Sequence, residues 1–201
     1  MKKPTPYRSK RSRASERGAT LIEVLVAMVI LATALLGMAA LTSSSIKYNQ
    51  FSRLRATGLS LVTDYAERAR ANLVGFANYA YTSAYTAGTR AAATVDPTTA
   101  MTACQITPIN TCAAAVAAYD QSQWLTNVAN RLPGGTAYIT TELTPAVAGV
   151  AGLPATRIMN VWLIWTAIEE QSGFQQTQTC PAGANIPTDA NVNCMYFRIT
   201  L

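Results

Sequence analysis

The chain has no histidine among its 201 residues. That absence removes Ser-His and Cys-His nucleophile–base pairs and the commonest metal ligand. No G-x-S-x-G, P-loop or G-x-G-x-x-G stretch occurs, so a hydrolase elbow and a phosphate cradle are missing as well. The acids of the second half, Asp96, Asp120, Glu142, Glu169, Glu170 and Asp189, are scattered. Glu169-Glu170 beside Gln171 and Ser172 reads as a solvated turn. No catalytic, metal-binding or cofactor-binding residue is assigned on these grounds. Two further gaps are positional: no proline lies between Pro6 and Pro97, and no Lys or Arg between Arg17 and Lys47. The first lets a helix run without interruption. The second contains Val24 to Leu41, eighteen residues without charge, Pro or Asn. At ~1.5 Å per residue this run is ~27 Å long, close to the ~30 Å of a bilayer's hydrocarbon core.

What charge there is sits unevenly. The net charge of +6 and pI of 9.3 suggest nucleic acid at first sight. Residues 1–18, however, hold seven Lys or Arg and one acid, Glu16, while residues 19–201 hold nine of each sign. The basicity belongs to a short leader ahead of an apolar run. This is the positive-inside pattern, with the leader in the cytoplasm and the bulk of the chain on the far side of a membrane. No nucleic-acid partner is expected, because the remainder has no net basic charge. A secretory signal peptide fits only in part: the apolar run is longer than a usual h-region, and no clean small-x-small site follows it.

Four cysteines, Cys104, Cys112, Cys180 and Cys194, all fall in the far-side portion. An even number in a translocated segment favours disulfides. Of the three pairings, the local one, Cys104–Cys112 with Cys180–Cys194, is preferred because each bridge closes a short Pro-containing loop. Zinc is the competing reading, opposed by the absence of His and of any C-x-x-C.

In order along the chain, residues 1–17 read as a disordered leader. Thr20 followed by Glu23 has capping-box spacing, which is one reading of the lone carboxylate at the lip of the apolar run. Beyond Thr42-Ser43-Ser44-Ser45, the residues Phe51, Leu54, Gly58, Leu61, Val62, Tyr65, Ala69 and Leu73 recur at steps of three and four, with Lys47, Arg53, Asp64, Glu67, Arg68 and Arg70 opposite. This predicts one helix from about Thr20 to Leu73, apolar all round in its first half and amphipathic in its second. Val74–Thr111 reads as a long loop with room for a short helix. A second helix is expected over 113–132, ended by Leu132-Pro133-Gly134-Gly135. Strands are expected at 136–143, 157–167 and 195–201, the middle one apolar enough to be covered on both faces. Gly173–Asn193 reads as a loop tied to the last strand through Cys194. The expected fold is α+β, a long N-terminal helix packed on a small antiparallel sheet with a C-terminal disulfide loop. Its segments are the leader 1–18, the apolar half-helix 19–45, the amphipathic half 46–73 and a globular part 74–201. At least two of Trp124, Trp162 and Trp165 should be core; one left on the sheet surface would face a partner.

Arg17-Gly18-Ala19-Thr20-Leu21-Ile22-Glu23-Val24-Leu25-Val26-Ala27 resembles the prepilin signal of the type IV filament family, which comprises type IV pilins, minor pilins and type II secretion pseudopilins. Asp120-x-x-x-Trp124, Leu132-Pro133-Gly134-Gly135 and Trp162-x-x-Trp165 are similar to pieces of the PilV group of minor pilins. The resemblance implies cleavage between Gly18 and Ala19 by a prepilin peptidase and N-methylation at Ala19. It departs from the family at Ala19, where Phe or Met is usual. It also implies a role for Glu23. A carboxylate at mid-helix in a membrane costs about 2.5–3.5 kcal/mol, less near the interface. Glu23 stands four residues, ~6 Å along a helix, from the new ammonium of Ala19, and pairing with that group on a neighbour would set axial register. Gly37 and the small residues Ala27, Ala32, Ala34, Ala39 and Ala40 allow close helix packing, and Gly37 is also a place for the helix to loosen on assembly.

The resemblance thus implies a minor pilin, a structural subunit rather than an enzyme. The alternatives are a type II secretion pseudopilin and a membrane-anchored periplasmic enzyme or receptor with no filament role. Implied partners are other major and minor pilins, the prepilin peptidase, inner-membrane assembly machinery and a tip adhesin. The implied location is the inner membrane, with the N-terminus cytoplasmic and the globular part periplasmic, and then the pilus.

Overall fold

Thr20 stands at the head of a helix that runs without a break for 51 residues, α1, Leu21–Ala71. The structure is a computed structural model and describes residues 20–85, 98, 102, 104–105, 109–144, 155–167, 179–188 and 190–201. The chain divides into two compact units, residues 1–49 and 50–201.

The first unit contributes the apolar part of α1. Every residue from Leu21 to Asn49 is exposed, Leu21 at 85% and Leu41 at 73%. This stretch makes α1 long and apolar enough to cross a membrane. Its hydroxyls are handled internally: Thr33 Oγ1 donates to Ile30 O at 2.9 Å, and Thr42 Oγ1 donates to Ala39 O at 2.9 Å and Met38 O at 3.1 Å. Polar side chains bonded to their own helix need no water, so they are tolerated in an apolar setting. The helix continues through Ser43-Ser44-Ser45.

The second unit begins at Gln50 and takes the amphipathic part of α1. Gly58, Leu61, Val62, Tyr65, Ala66 and Ala69 form the buried stripe. Gly58 lets helix and sheet approach closely: a Cβ there would lie 2.6 Å from Met195 Cε and 3.2 Å from Leu163 Cδ1. Helix α1 ends at Ala71, two residues before the expected Leu73. Asn72 then turns the chain, its side chain accepting from Gly75 N at 3.2 Å and donating to Ala113 O at 2.8 Å. A 3-10 helix, Leu73–Tyr79, follows at the start of the stretch read as a loop with room for a short helix. It exists because Phe76 and Tyr79 reach into the core, at 2% and 0% exposure. Helix α2 spans Ile109–Arg131, starting four residues ahead of expectation.

Three antiparallel strands in the order β1-β2-β3 complete the unit: β1 Thr136–Thr144, β2 Thr156–Thr166 and β3 Val192–Thr200. Strand β3 starts three residues earlier than the apolar alternation indicates, because Val192, Asn193 and Cys194 pair with Thr166, Trp165 and Ile164. The free edge of β1 is covered by Tyr81, which exchanges both backbone bonds with Ile139 (2.9 and 2.7 Å). Such cover blunts an edge that would otherwise recruit strands.

The inner sheet face, with Ala137, Ile139, Met159, Val161, Leu163 and Met195, joins Leu61, Tyr65, Trp124, Val128 and Leu132 in one core. A second, smaller cluster lies on the outer face, where Ile164 and Cys194 are roofed by Ala184 and Tyr85. Strand β2 is therefore covered on both faces at that end, which explains its near-continuous apolar sequence. The disulfides are Cys104–Cys112 and Cys180–Cys194, with Cα separations of 4.3 and 5.4 Å. The second ties the roof to β3. Long N-terminal helix, three-stranded antiparallel sheet and C-terminal disulfide together make the pilin-like α+β fold expected from the sequence.

Candidate assembly site at the head of the first helix

The residues that the sequence singles out for processing and assembly are Gly18, Ala19 and Glu23. Gly18 and Ala19 lie outside the described residues. Glu23 sits in the first turn of α1 and bends back onto Thr20. Thr20 N donates to Glu23 Oε2 at 3.0 Å, and Thr20 Oγ1 approaches the same oxygen at 3.4 Å. The turn closes through Glu23 N to Thr20 O at 2.9 Å and Val24 N to Thr20 O at 3.3 Å. This is the Glu half of a capping box: an acid satisfies an orphan amide at the positive end of the helix dipole. Both contacts use Oε2. Among the described residues, no hydrogen bond falls on Oε1. The carboxylate is exposed and held at the helix head.

A second cluster joins α1 to α2 inside the other unit; the four-residue spacing of Asp64 and Arg68 announces their surface pair, but not the link to Asp120. Arg68 Nε donates to Asp64 Oδ2 at 3.1 Å, and Arg68 Nη1 to Asp120 Oδ1 at 3.2 Å. Tyr79 OH donates to Asp120 Oδ2 at 2.7 Å and lies 3.2 Å from Arg68 O. Tyr65 OH donates to Tyr79 O at 2.8 Å, and Gln121 Nε2 to Ala80 O at 2.9 Å. Asp120 is thus no scattered acid. It is the point on which α1, the 3-10 helix and α2 converge. The available signal was its position four residues before Trp124, on the apolar stripe of α2, where an acid needs a partner. Burial raises the Tyr65 phenol above its ordinary range, and burial followed by the bond to Asp120 raises that of Tyr79. Burial acts to lower the Arg68 pKa, but the bonds and charges of Asp64 and Asp120 outweigh it, and the net shift is upward. The cluster is a satisfied structural network of neutral phenols and a paired cation.

The tryptophans divide. Trp124 is fully buried, donates Nε1 to Leu61 O at 2.6 Å and stacks on Tyr65 at 4.3 Å between centroids. Trp165 is buried at 2%. Trp162 is half-buried on the outer sheet face, between Tyr138 (6.0 Å) and Tyr196 (4.7 Å). Beside that row, Asn160 bonds Glu142 Oε1 at 2.6 Å and accepts from Tyr196 OH at 2.8 Å. An open depression of about 450 Å³ lies where α1 ends and α2 begins, lined by residues 70–74 with Cys112, Ala113 and Val116. Its one charged residue, Arg70, is paired with Glu67, and it offers no acid–base couple. Among the described residues no group of three or more His, Cys, Asp or Glu is placed to hold a metal ion.

Residues 13–39 match the family model described as the prokaryotic N-terminal methylation motif. The match spans the end of the basic leader, Gly18, Ala19, Glu23 and the apolar part of α1. It supports a type IV pilin or pseudopilin, and implies processing by a prepilin peptidase and assembly with other pilins. Together with the apolar helix it indicates a membrane-anchored protein. No curated protein and no solved structure matches the chain.

Proposed function

We propose that this chain is a minor pilin of the PilV group, a non-enzymatic structural subunit for initiating or extending a type IV pilus. It is inserted with residues 1–18 in the cytoplasm and the sheet-bearing unit in the periplasm, and is cut between Gly18 and Ala19. It is methylated at Ala19 and drawn from the inner membrane into a filament or its tip complex. The observation that carries the reading is the methylation motif over residues 13–39 running directly into an exposed apolar helix with one carboxylate in its first turn. An exposed apolar rod needs either lipid or a bundle of like helices around it. Lipid serves before assembly and the bundle after. Glu23 is the polar element that a bundle would use for register, by pairing with the Ala19 ammonium of a neighbour.

The PilV assignment draws further support from Trp162-x-x-Trp165 on β2 and from the turn Leu132-Pro133-Gly134-Gly135, where Gly134 adopts a left-handed φ of 58°. Half-buried Trp162 offers a neighbouring pilin or a tip adhesin an aromatic anchor. A pseudopilin of a type II secretion system shares the motif and is separated by its companions: co-purification with pilus subunits rather than secretion subunits supports the pilin.

The decisive experiment is intact mass spectrometry of membrane-extracted protein from cells with and without prepilin peptidase. The expected mass is that of residues 19–201 plus one methyl group, with residues 1–18 retained in the peptidase-deficient strain. A chain that begins at Met1 in both strains overturns the proposal.

A further inference from the structure

The three strands leave two edges, and the two are finished differently. On β1, Tyr81 exchanges both backbone bonds with Ile139. On β3, the ladder to β2 is pinned at both ends: Leu201 N donates to Arg157 O at 2.9 Å, and Ala167 N donates to Asn191 O at 3.0 Å. Both bonds continue the β2–β3 register, in which Met159 faces Ile199, Val161 faces Phe197 and Leu163 faces Met195. Bonded and non-bonded pairs alternate along an antiparallel ladder. The odd-numbered residues of β3 therefore turn N–H and C=O toward β2. The even-numbered ones, Val192, Cys194, Tyr196, Arg198 and Thr200, turn theirs away from it. Arg198 and Thr200 are exposed, and among the described residues no backbone bond reaches either from that side. Native edges are blunted by proline, a bulge or a covering segment. Strand β3 contains no proline, and its pairing with β2 runs unbroken from Thr200 to Val192.

The apolar face is open along the same strand. The inner residues of β1 and β2 are closed off: Ala137 is 2% exposed, and Ile139, Met159, Val161 and Leu163 are 0%. On β3, Met195 is buried beside Gly58 of α1. Phe197 and Ile199 pack against the same core but are only half-buried. The core is thus unfinished along the second half of β3. On the outer face, Arg198 has no carboxylate within ion-pair distance among the described residues, whereas Arg68 and Arg70 do. Glu142, the one acid in the three strands, lies two strands away and accepts from Asn160 at 2.6 Å.

We propose that β3 is the docking edge for an extended segment of a partner chain, which joins the sheet as a fourth strand. Its backbone bonds to Arg198 and Thr200. Its apolar residues, at every second position, cover Phe197 and Ile199, and a carboxylate stands beside Arg198. Charge complementarity selects this occupant. The β3 of a second copy brings no acid, and the β1 edge of a second copy is held by Tyr81. A partner segment with alternating apolar residues and one acid satisfies the edge, the open core and the cation together. The edge belongs to the sheet and does not depend on processing at Gly18.

The test uses the full chain in detergent micelles and a labelled, end-capped peptide that alternates valine with threonine and carries a central glutamate. Binding is read by fluorescence anisotropy, and the protected amides by hydrogen exchange in NMR spectra. Saturable binding is expected, with slowed exchange at Arg198 and Thr200. Thr200→Pro removes an outward N–H and leaves the β2 ladder intact. It should weaken binding about five-fold, whereas Thr200→Ala should bind as wild type does. Arg198→Glu should weaken binding about three-fold, and a peptide with lysine in place of its glutamate should restore it. Near-UV circular dichroism verifies that each variant is folded; should Thr200→Pro fail there, the Arg198→Glu exchange carries the test. Absence of saturable binding overturns the proposal. So does binding that leaves exchange at Arg198 and Thr200 unchanged, or that is equal in wild type and a folded Thr200→Pro. Protection of those amides without peptide, together with dimer formation, makes the occupant a second copy and overturns the partner assignment.

Discussion

Asp120→Ala is the sharpest perturbation of the unit that α1 and α2 build together. Asp120 accepts from Tyr79 OH at 2.7 Å and from Arg68 Nη1 at 3.2 Å, with its side chain 16% exposed and that of Arg68 28%. Removing a buried ion-pair partner outright costs about 3–5 kcal/mol. Two features here reduce that figure. Arg68 retains Asp64 at 3.1 Å, so the cation is not stranded. Tyr79 OH still has Arg68 O at 3.2 Å as an acceptor. What is lost is one charge-assisted hydrogen bond and one partly exposed ion pair, together about 2 kcal/mol. For a domain of this size, that lowers Tm by roughly 4–8 °C. Asp120→Asn keeps an acceptor for the phenol and should cost about half as much. The assay is thermal unfolding of the full chain in micelles, followed by near-UV circular dichroism, to which the Tyr65–Trp124 stack contributes directly. A cycle with Tyr79→Phe should give a coupling of about 1 kcal/mol. A loss below about 0.5 kcal/mol, or additivity within that margin, would refute the claim that Asp120 is the joint between the two helices.

The same phenols predict alkaline instability. Burial raises Tyr65 and Tyr79 above the ordinary value of 10.0. Once pH passes that value the unfolded chain sheds protons that the folded chain keeps, so stability is whole below it and falls as pH climbs toward the folded values. Unfolding followed against pH should show this decline, and Tyr79→Phe should flatten it. Reducing Cys180–Cys194, which closes a 14-residue separation under the Ile164 cluster, should cost about 3 kcal/mol, read as a lowered denaturation midpoint of the reduced and alkylated chain. Glu23→Gln keeps a capping acceptor but no charge, and Glu23→Val removes both. Each should be cleaved after Gly18 yet enter filaments poorly in a pilus-shearing immunoblot, and normal incorporation of the Gln variant would reduce Glu23 to a cap.

Much of the fold was legible because its determinants are local and periodic. The apolar run and the stripe Leu61, Val62, Tyr65 and Ala69 follow the helical period, and Ala137 and Ile139 follow the strand period. What was hidden depended on pairing at long range. The start of β3 at Val192 is set by Thr166, not by Asn193 or Cys194, whose own character suggests a loop. The 3-10 helix Leu73–Tyr79 owes its form to Tyr79 reaching Asp120, 41 residues away. Asn160 is 6% exposed on the outward sheet face, a burial that no alternation pattern announces, and its partners Glu142 and Tyr196 come from two other strands.

The assembly residue behaves differently, since its sequence context supports two readings, and the structure describes the first of them, the cap. Capping is intramolecular and complete in one chain: Thr20 and Glu23 are three apart and meet through Oε2. Registration is intermolecular and requires a charge aimed away from its own helix. Because the cap occupies one oxygen, the other stays at the surface of the helix head. The backbone bond also fixes the side-chain torsions that a free glutamate would have to freeze on meeting a neighbour. On the proposed registration role, the capping box would preorganise the carboxylate for an incoming ammonium. In an apolar surround that ammonium finds few other anions: no acid lies between Glu23 and Asp64. In the proposed bundle each rod would carry one acid over that length, and so favour one axial register, which a second carboxylate in the apolar run would make degenerate.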